Sequence, residues 1–88
     1  MTKEEKIKKL VNLIENENVI IVTGCYGECT DISPLYDDND NVVGFNFTYD
    51  DNYGYEHELV EDQMTWEELF NIKFEVFTEN KKRTKVEL

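Results

Sequence analysis

Between Leu10 and Ile72 the 88-residue chain has no lysine and no arginine. Those 63 residues hold fifteen carboxylates and a single histidine, His57. The nine cations all lie outside this stretch: Lys3, Lys6, Lys8 and Lys9 before it, Lys73, Lys81, Lys82, Arg83 and Lys85 after it. Each end therefore carries +2, the middle −15, and the whole −11. Protein surfaces usually intersperse the two signs, because a large field of one sign is self-repelling. A body charged in this way is repelled by nucleic acid and by anionic lipid, which argues against direct binding to either.

Other absences narrow the reading further. No apolar run approaches the roughly 20 residues of a membrane span. The opening Met1-Thr2-Lys3-Glu4-Glu5-Lys6 has no apolar segment of the secretory kind, so a cytoplasmic location is expected. Two cysteines, Cys25 and Cys29, are too few for a disulfide scaffold and fit a reducing compartment. Their Cys-x-x-x-Cys spacing is not the redox Cys-x-x-Cys, and with one histidine they fall short of a four-ligand zinc site. The plain reading is two free thiols beside a strand. The four glycines, Gly24, Gly27, Gly44 and Gly54, form no phosphate loop. No cofactor and no resident metal are expected.

A chain of this length makes one domain that buries somewhat over roughly 60% of its unfolded surface. Five Phe, five Tyr and frequent β-branched residues argue for a folded chain despite its charge. Thr2 with Glu5 has capping-box spacing, and Ile7, Leu10, Val11 and Ile14 follow at helical intervals, which predicts an amphipathic helix over 3–16. Val19 to Thr23 reads as a short buried strand and 24–41 as irregular, closing in the turn-forming Asp37-Asp38-Asn39-Asp40-Asn41. Val42 to Tyr49 alternates, with Val43, Phe45, Phe47 and Tyr49 on one side. Tyr55 to Val60 alternates again, with Tyr55, His57 and Leu59 opposite Glu56, Glu58 and Val60. The pair predicts an antiparallel hairpin with an aromatic and a polar face. Thr65 with Glu68 opens a short helix presenting Trp66, Leu69 and Phe70. Ile72, Phe74 and Val76 suggest a final strand. The expectation is an α+β domain over 1–78, with a mostly antiparallel sheet of three or four strands and the first helix on its aromatic face. Residues 79–88 read as a mobile tail of mixed charge.

Candidate chemistry lies in the acids. Asp37, Asp38 and Asp40, Asp50 and Asp51, Glu56 and Glu58, Glu61 and Asp62, and Glu67 and Glu68 fall in turns and on the predicted outward face of the hairpin. Alternate strand residues lie roughly 6.6 Å apart, and duplex DNA advances about 3.4 Å per phosphate along each strand. Carboxylates at such positions space negative charge on the scale of a phosphate backbone. The plainer alternative is a solvated face that serves solubility. Asp37, Asn39 and Asn41 match the first alternating ligands of an EF-hand loop, but Val42 and Thr48 stand where that loop needs Gly and Glu, so the motif fails. His57 shares its predicted side with Tyr55 and Leu59, and no oriented nucleophile pair accompanies it, so catalysis is not expected. Tyr26, Tyr36, Tyr53 and Tyr55 sit in or beside predicted loops, and tyrosine contributes strongly at interfaces. Tyr53, within the second acidic turn, joins the acids as a candidate partner-binding residue.

In size and charge, carried by residues 10–72, the chain resembles the small acidic phage-encoded antagonists of host nucleases. The nearest class is the anti-CRISPR proteins that imitate DNA; uracil-DNA glycosylase inhibitors and nuclease immunity proteins are also similar. The resemblance rests on no motif. It implies a non-catalytic inhibitor in the host cytoplasm, whose acidic face occupies the Lys/Arg-lined channel of a basic nucleic-acid-binding protein. The alternative is an interaction or regulatory module that uses an exposed aromatic patch. An unpaired strand at either sheet edge would permit a homodimer.

Overall fold

The computed structural model describes residues 1–51 and 57–88. Thr2 caps the first helix, α1 (Lys3–Asn16): its hydroxyl accepts the Glu5 N–H at 3.2 Å while the Glu5 carboxylate reaches back to Thr2. Each side chain satisfies an orphan donor of the first turn. Leu10 and Ile14 are buried, with Ile7 and Val11 packed beside them, so the predicted stripe is the face that meets the sheet.

Six strands follow, all paired antiparallel. They are β1 (Val19–Thr23), β2 (Gly27–Tyr36), β3 (Val42–Asp51), β4 (Glu58–Thr65), β5 (Phe74–Asn80) and β6 (Lys82–Val86), with the short helix α2 (Trp66–Phe70) between β4 and β5. The spatial order is β4-β3-β2-β1-β5-β6. The molecule is thus α+β with a helix on one face of an antiparallel sheet, as expected, but with six strands rather than three or four.

The two additional strands explain the miscount. Residues 24–41 were expected to be irregular because Gly24, Gly27, Ser33 and Pro34, followed by the Asp/Asn cluster at 37–41, are turn formers. In the structure Gly27 to Cys29 pairs with β1, and Thr30 onward pairs with β3. A register shift between Thr30 and Ser33, with Asp31 at φ 51°, joins the two halves. Such a bulge bends the strand and moves its alternation by one residue. Pro34 lies beyond the last residue paired with β1, so no strand on that side needs its missing N–H. Residues 79–88, expected as a tail outside the domain, contribute the end of β5 and all of β6. Val86 sits opposite Val76 and, with Leu88, packs against the core.

The β3–β4 hairpin exists, but its second strand runs from Glu58 to Thr65 instead of Tyr55 to Val60; Tyr55 lies outside the described residues. Phe45 faces Met64, Tyr49 faces Val60 and Asp50 faces Leu59. Directly opposed residues share a face. Val60 therefore points toward the aromatic side and Leu59 away from it, 74% exposed, the reverse of the expected alternation. Burial of Met64 against Phe45 decides the matter, since a slip of one residue would turn Met64 out to water.

The core lies between α1 and the helix-side face of the sheet. Leu10, Ile21, Cys29, Phe45, Phe47, Leu69 and Val76 are its most buried members, and Trp66 closes one end by donating its indole N–H to the Val42 carbonyl at 3.2 Å. A second capping box, Thr65 with Glu68, starts α2 at that point. Gly44 lies opposite Thr65, so tightly that a Cβ there would collide with the Met64 carbonyl oxygen and stand 2.7 Å from the Thr65 Cα. Those neighbours are backbone and cannot move aside without breaking the hairpin. Gly44→Ala should therefore destabilise the fold by about 2–3 kcal/mol in urea denaturation, the upper range for overpacking; an unchanged midpoint would mean the strands part freely here.

Candidate functional site

The acids are gathered along one margin of the sheet. Asp37, Asp38 and Asp40 occupy the β2–β3 turn, Asp50 and Asp51 end β3, Glu58 begins β4, Glu61 and Asp62 lie along it, and Glu67 and Glu68 open α2. Because Gly44 pairs with Thr65, the β2–β3 turn and α2 share one end of the hairpin, while Asp50, Asp51 and Glu58 mark the other. Ten residues of β3 span roughly 30 Å between those ends. Tyr53 and Glu56 lie outside the described residues.

Cross-strand pairing divides these acids between the two faces. Asp51 opposes Glu58, and Phe47 opposes Asp62, on the helix side; Thr48 opposes Glu61, and Asp50 opposes Leu59, on the open side. The expected single polar face is instead an edge with carboxylates above and below it. Glu58 in particular, expected outward, lies on the helix side. The open side also carries Asp31, Ser33, Asn46 and Gln63 around a shallow hollow beside Glu61.

Two candidates also have local structural work. Asp37 Oδ1 accepts the backbone N–H groups of Asn39 and Asn41, each at 2.9 Å, and closes the turn in which Asp40 takes φ 61°. Glu68 completes the α2 capping box through Thr65. The two N–H donors, Asn41 first, hold the Asp37 carboxyl below its ordinary value.

The cations lie elsewhere. Arg83 pairs with Glu28 at 2.6 Å and approaches Glu79, Lys85 lies 4.0 Å from Glu75, and Lys9 donates to the Glu87 carbonyl. Among the described residues no lysine or arginine comes within ion-pairing distance of the ten acids; their one basic contact is His57 with Asp50 at 3.2 Å. Strand order accounts for this. β6, which carries Lys82, Arg83 and Lys85, is five inter-strand steps from β4, roughly 24 Å along the sheet. That is about three screening lengths at physiological salt.

The tyrosines separate. Tyr26, expected at a loop surface, packs edge-on against Phe47 and Tyr49 at centroid distances of 5.2 and 5.0 Å. Burial, then the charge of Asp62, pushes its phenol upward. Tyr36 is exposed, and Tyr53 and Tyr55 lie outside the described residues. Cys29 is fully buried beside Ile21, where desolvation lifts its thiol to about 11, whereas Cys25 is exposed. Among the described residues no three His, Cys, Asp or Glu side chains are placed to hold a metal, and no helix is long and apolar enough to cross a membrane.

Two outcomes follow from these environments. A depressed carboxyl contributes stability above its unfolded pKa and loses it as pH falls through the folded value. The stability difference between wild type and Asp37→Ala should accordingly be full at pH 7, begin to shrink below the ordinary value of 3.8 and be lost as pH falls through the lowered folded value; a difference persisting undiminished at pH 2 would locate the effect elsewhere. A disulfide reagent should modify Cys25 within minutes and Cys29 only on unfolding, in a mass-resolved time course. No protein-family model, curated protein or solved structure matches the chain.

Proposed function

We propose that the chain is a non-catalytic inhibitor that binds a nucleic-acid-processing enzyme of the CRISPR-nuclease kind. Its acidic margin would occupy the cationic cleft that receives DNA or RNA. The observation that carries this reading is the run of ten acids over roughly 30 Å, unmatched by any described lysine or arginine. One strand of a duplex places about nine phosphates over that distance. The linear charge density is that of a single strand, about half that of a duplex, and counterions held by both surfaces would be released on docking, as they are when nucleic acid binds. Placement of the acids above and below an edge strand favours insertion into a groove over apposition to a flat surface. The helix capping and turn bonds of Glu68 and Asp37 hold those carboxylates in place rather than leaving them on free side chains.

The interaction-module alternative gains less. It needs a contiguous aromatic patch, and among the described residues the exposed large apolar side chains are dispersed: Met1 precedes α1, Tyr36 is at the α2 end of the hairpin and Leu59 near the other. Scattered apolar residues are ordinary on any surface.

Immobilised protein challenged with a bacterial lysate cleared of nucleic acid should retain nucleic-acid-binding proteins, and added duplex DNA should displace them. Joint replacement Asp50→Asn, Glu58→Gln, Glu61→Gln and Asp62→Asn should weaken retention by at least about tenfold and flatten its salt dependence. Retention indifferent to DNA, to salt and to these four changes would end the reading.

A further inference from the structure

The two margins of the sheet carry opposite charge. β4 and β6 each pair with a single described strand, β3 and β5 respectively, so each presents a row of backbone donors and acceptors on its other side. Free edges of this kind invite further strands, and proteins blunt them with charge. Here β4 is blunted by Glu58, Glu61 and Asp62, and β6 by Lys82, Arg83 and Lys85. Each set repels its own kind: β4 resists β4, and β6 resists β6. Neither set protects one edge from the other. Specificity against the symmetric pairings is built in, and the asymmetric pairing is left open.

Topology allows that pairing without rearrangement. Because all neighbouring strands are antiparallel and there are six, β4 and β6 run in opposite directions. Two copies set side by side with their helices on the same face would therefore bring β6 of one antiparallel to β4 of the other, continuing the existing ladder. The faces also agree. Lys82 and Val86 share the side of Val76, which is the helix side, as do Asp62 and Met64; Arg83 and Glu61 both belong to the open side. Of the registers that keep helix-side residues opposite helix-side residues, one sets Glu61 against Arg83 and Asp62 against Lys82 at once. It also leaves Lys85 diagonal to Glu61, within reach of long side chains.

We propose that the chain associates with itself head to tail, β6 of one copy adding to β4 of the next, with Glu61 facing Arg83 and Asp62 facing Lys82 across the junction. The interface is heterologous, so it generates a ring or an open chain of subunits rather than a closed dimer. Arg83 is turned inward, over the Phe77 ring to Glu28 at 2.6 Å, and joining requires its guanidinium to leave Glu28 and swing outward to Glu61 of the next copy. Buried area at a single strand junction is small, and the association is correspondingly weak and dependent on salt.

Sedimentation of the wild-type protein from about 1 μM to about 1 mM should show mass rising with concentration at about 0.01 M salt, and suppression of that rise at about 1 M. Lys82→Glu with Arg83→Glu gives a variant with two acidic edges; Glu61→Lys with Asp62→Lys gives one with two basic edges. Each alone should need at least about tenfold higher concentration to associate. Mixed in equal amounts, they should associate at least as readily as wild type, since every acidic edge again meets a basic one. All four side chains are exposed, and circular dichroism would verify folding of each variant. Wild-type protein that stays monomeric at about 1 mM in low salt overturns the proposal, and so does association in which the mixed variants fail to recover.

Discussion

The burial of Met64 against Phe45 is the contact on which the arrangement of charge depends. Phe45 lies in an aromatic row with Phe47 and Tyr49, flanked by Trp66 at one end and Tyr26 at the other. A strand has a period of two, so fixing one inward residue fixes all the others. With Met64 inward, Asp62, Val60 and Glu58 follow on the helix side, and Glu61 and Leu59 go to the open side. The hydrophobic requirement of a single pair thereby decides where five carboxylates of the hairpin point. It also accepts the exposure of Leu59, because no register can bury both Met64 and Leu59.

That ordering clarifies which parts of the molecule could be read from residues alone. Where one local rule acts, the reading was accurate. Thr2 and Glu5 predicted the start of α1 to the residue, the stripe from Ile7 to Ile14 predicted its buried side, Thr65 and Glu68 predicted α2, and Val19–Thr23 emerged as β1 with those bounds. Where partners decide, local rules were silent. Gly27, Asp31, Ser33 and Pro34 give β2 little intrinsic preference, and it is a strand because β1 and β3 each supply a ladder for half of it. β6 is charged at three of five positions and becomes ordered through β5 and through Val86 and Leu88. The alternation from Tyr55 to Val60 looked persuasive and had the wrong phase, because Met64, outside that window, sets it. The acids were legible as a group, but their gathering on one margin required the strand order.

Strand order also explains how a chain with cations at both ends keeps them from its acidic middle. After β4 the chain does not turn back beside it. Residues 66–73 carry it past β3, β2 and β1 to pair β5 with the far side of β1, a displacement of roughly 19 Å. Eight residues can cover that distance only in a nearly direct path. The capped turn of α2 begins the crossing, and Trp66 and Leu69 anchor it to the core. Had β5 added to β4 instead, Lys82 to Lys85 would have lain within two strands of Glu61 and Asp62, and the acidic margin would have been neutralised from within. Of the cations at the amino-terminal end, Lys9 reaches Glu87 beyond β6, while Lys3 lies over the ring of Phe70, on the same short helix as Glu67 and Glu68 but in ion-pairing contact with neither.

A surface needed only for solubility has no use for this separation, since dispersed charge of the same total keeps a protein in solution and relieves self-repulsion. Segregation increases the repulsion among the acids and forgoes the pairings that nine available cations offer. The fold sustains it with bonds that need no cation: two capping boxes, the Asp37 turn, the Trp66–Val42 hydrogen bond and the packed aromatic row. A molecule that tolerates an unneutralised margin while holding three of its cations, Lys82, Arg83 and Lys85, at the opposite one is suited to meet a positive surface. A cleft built for nucleic acid and the β6 edge of a second copy are both of that kind, and they would compete for the same carboxylates, Glu61 and Asp62. Self-association would then act as a reserve, weak enough to yield to a deeper and more positive groove, because a single strand junction offers two or three opposed charges where such a groove meets the whole margin.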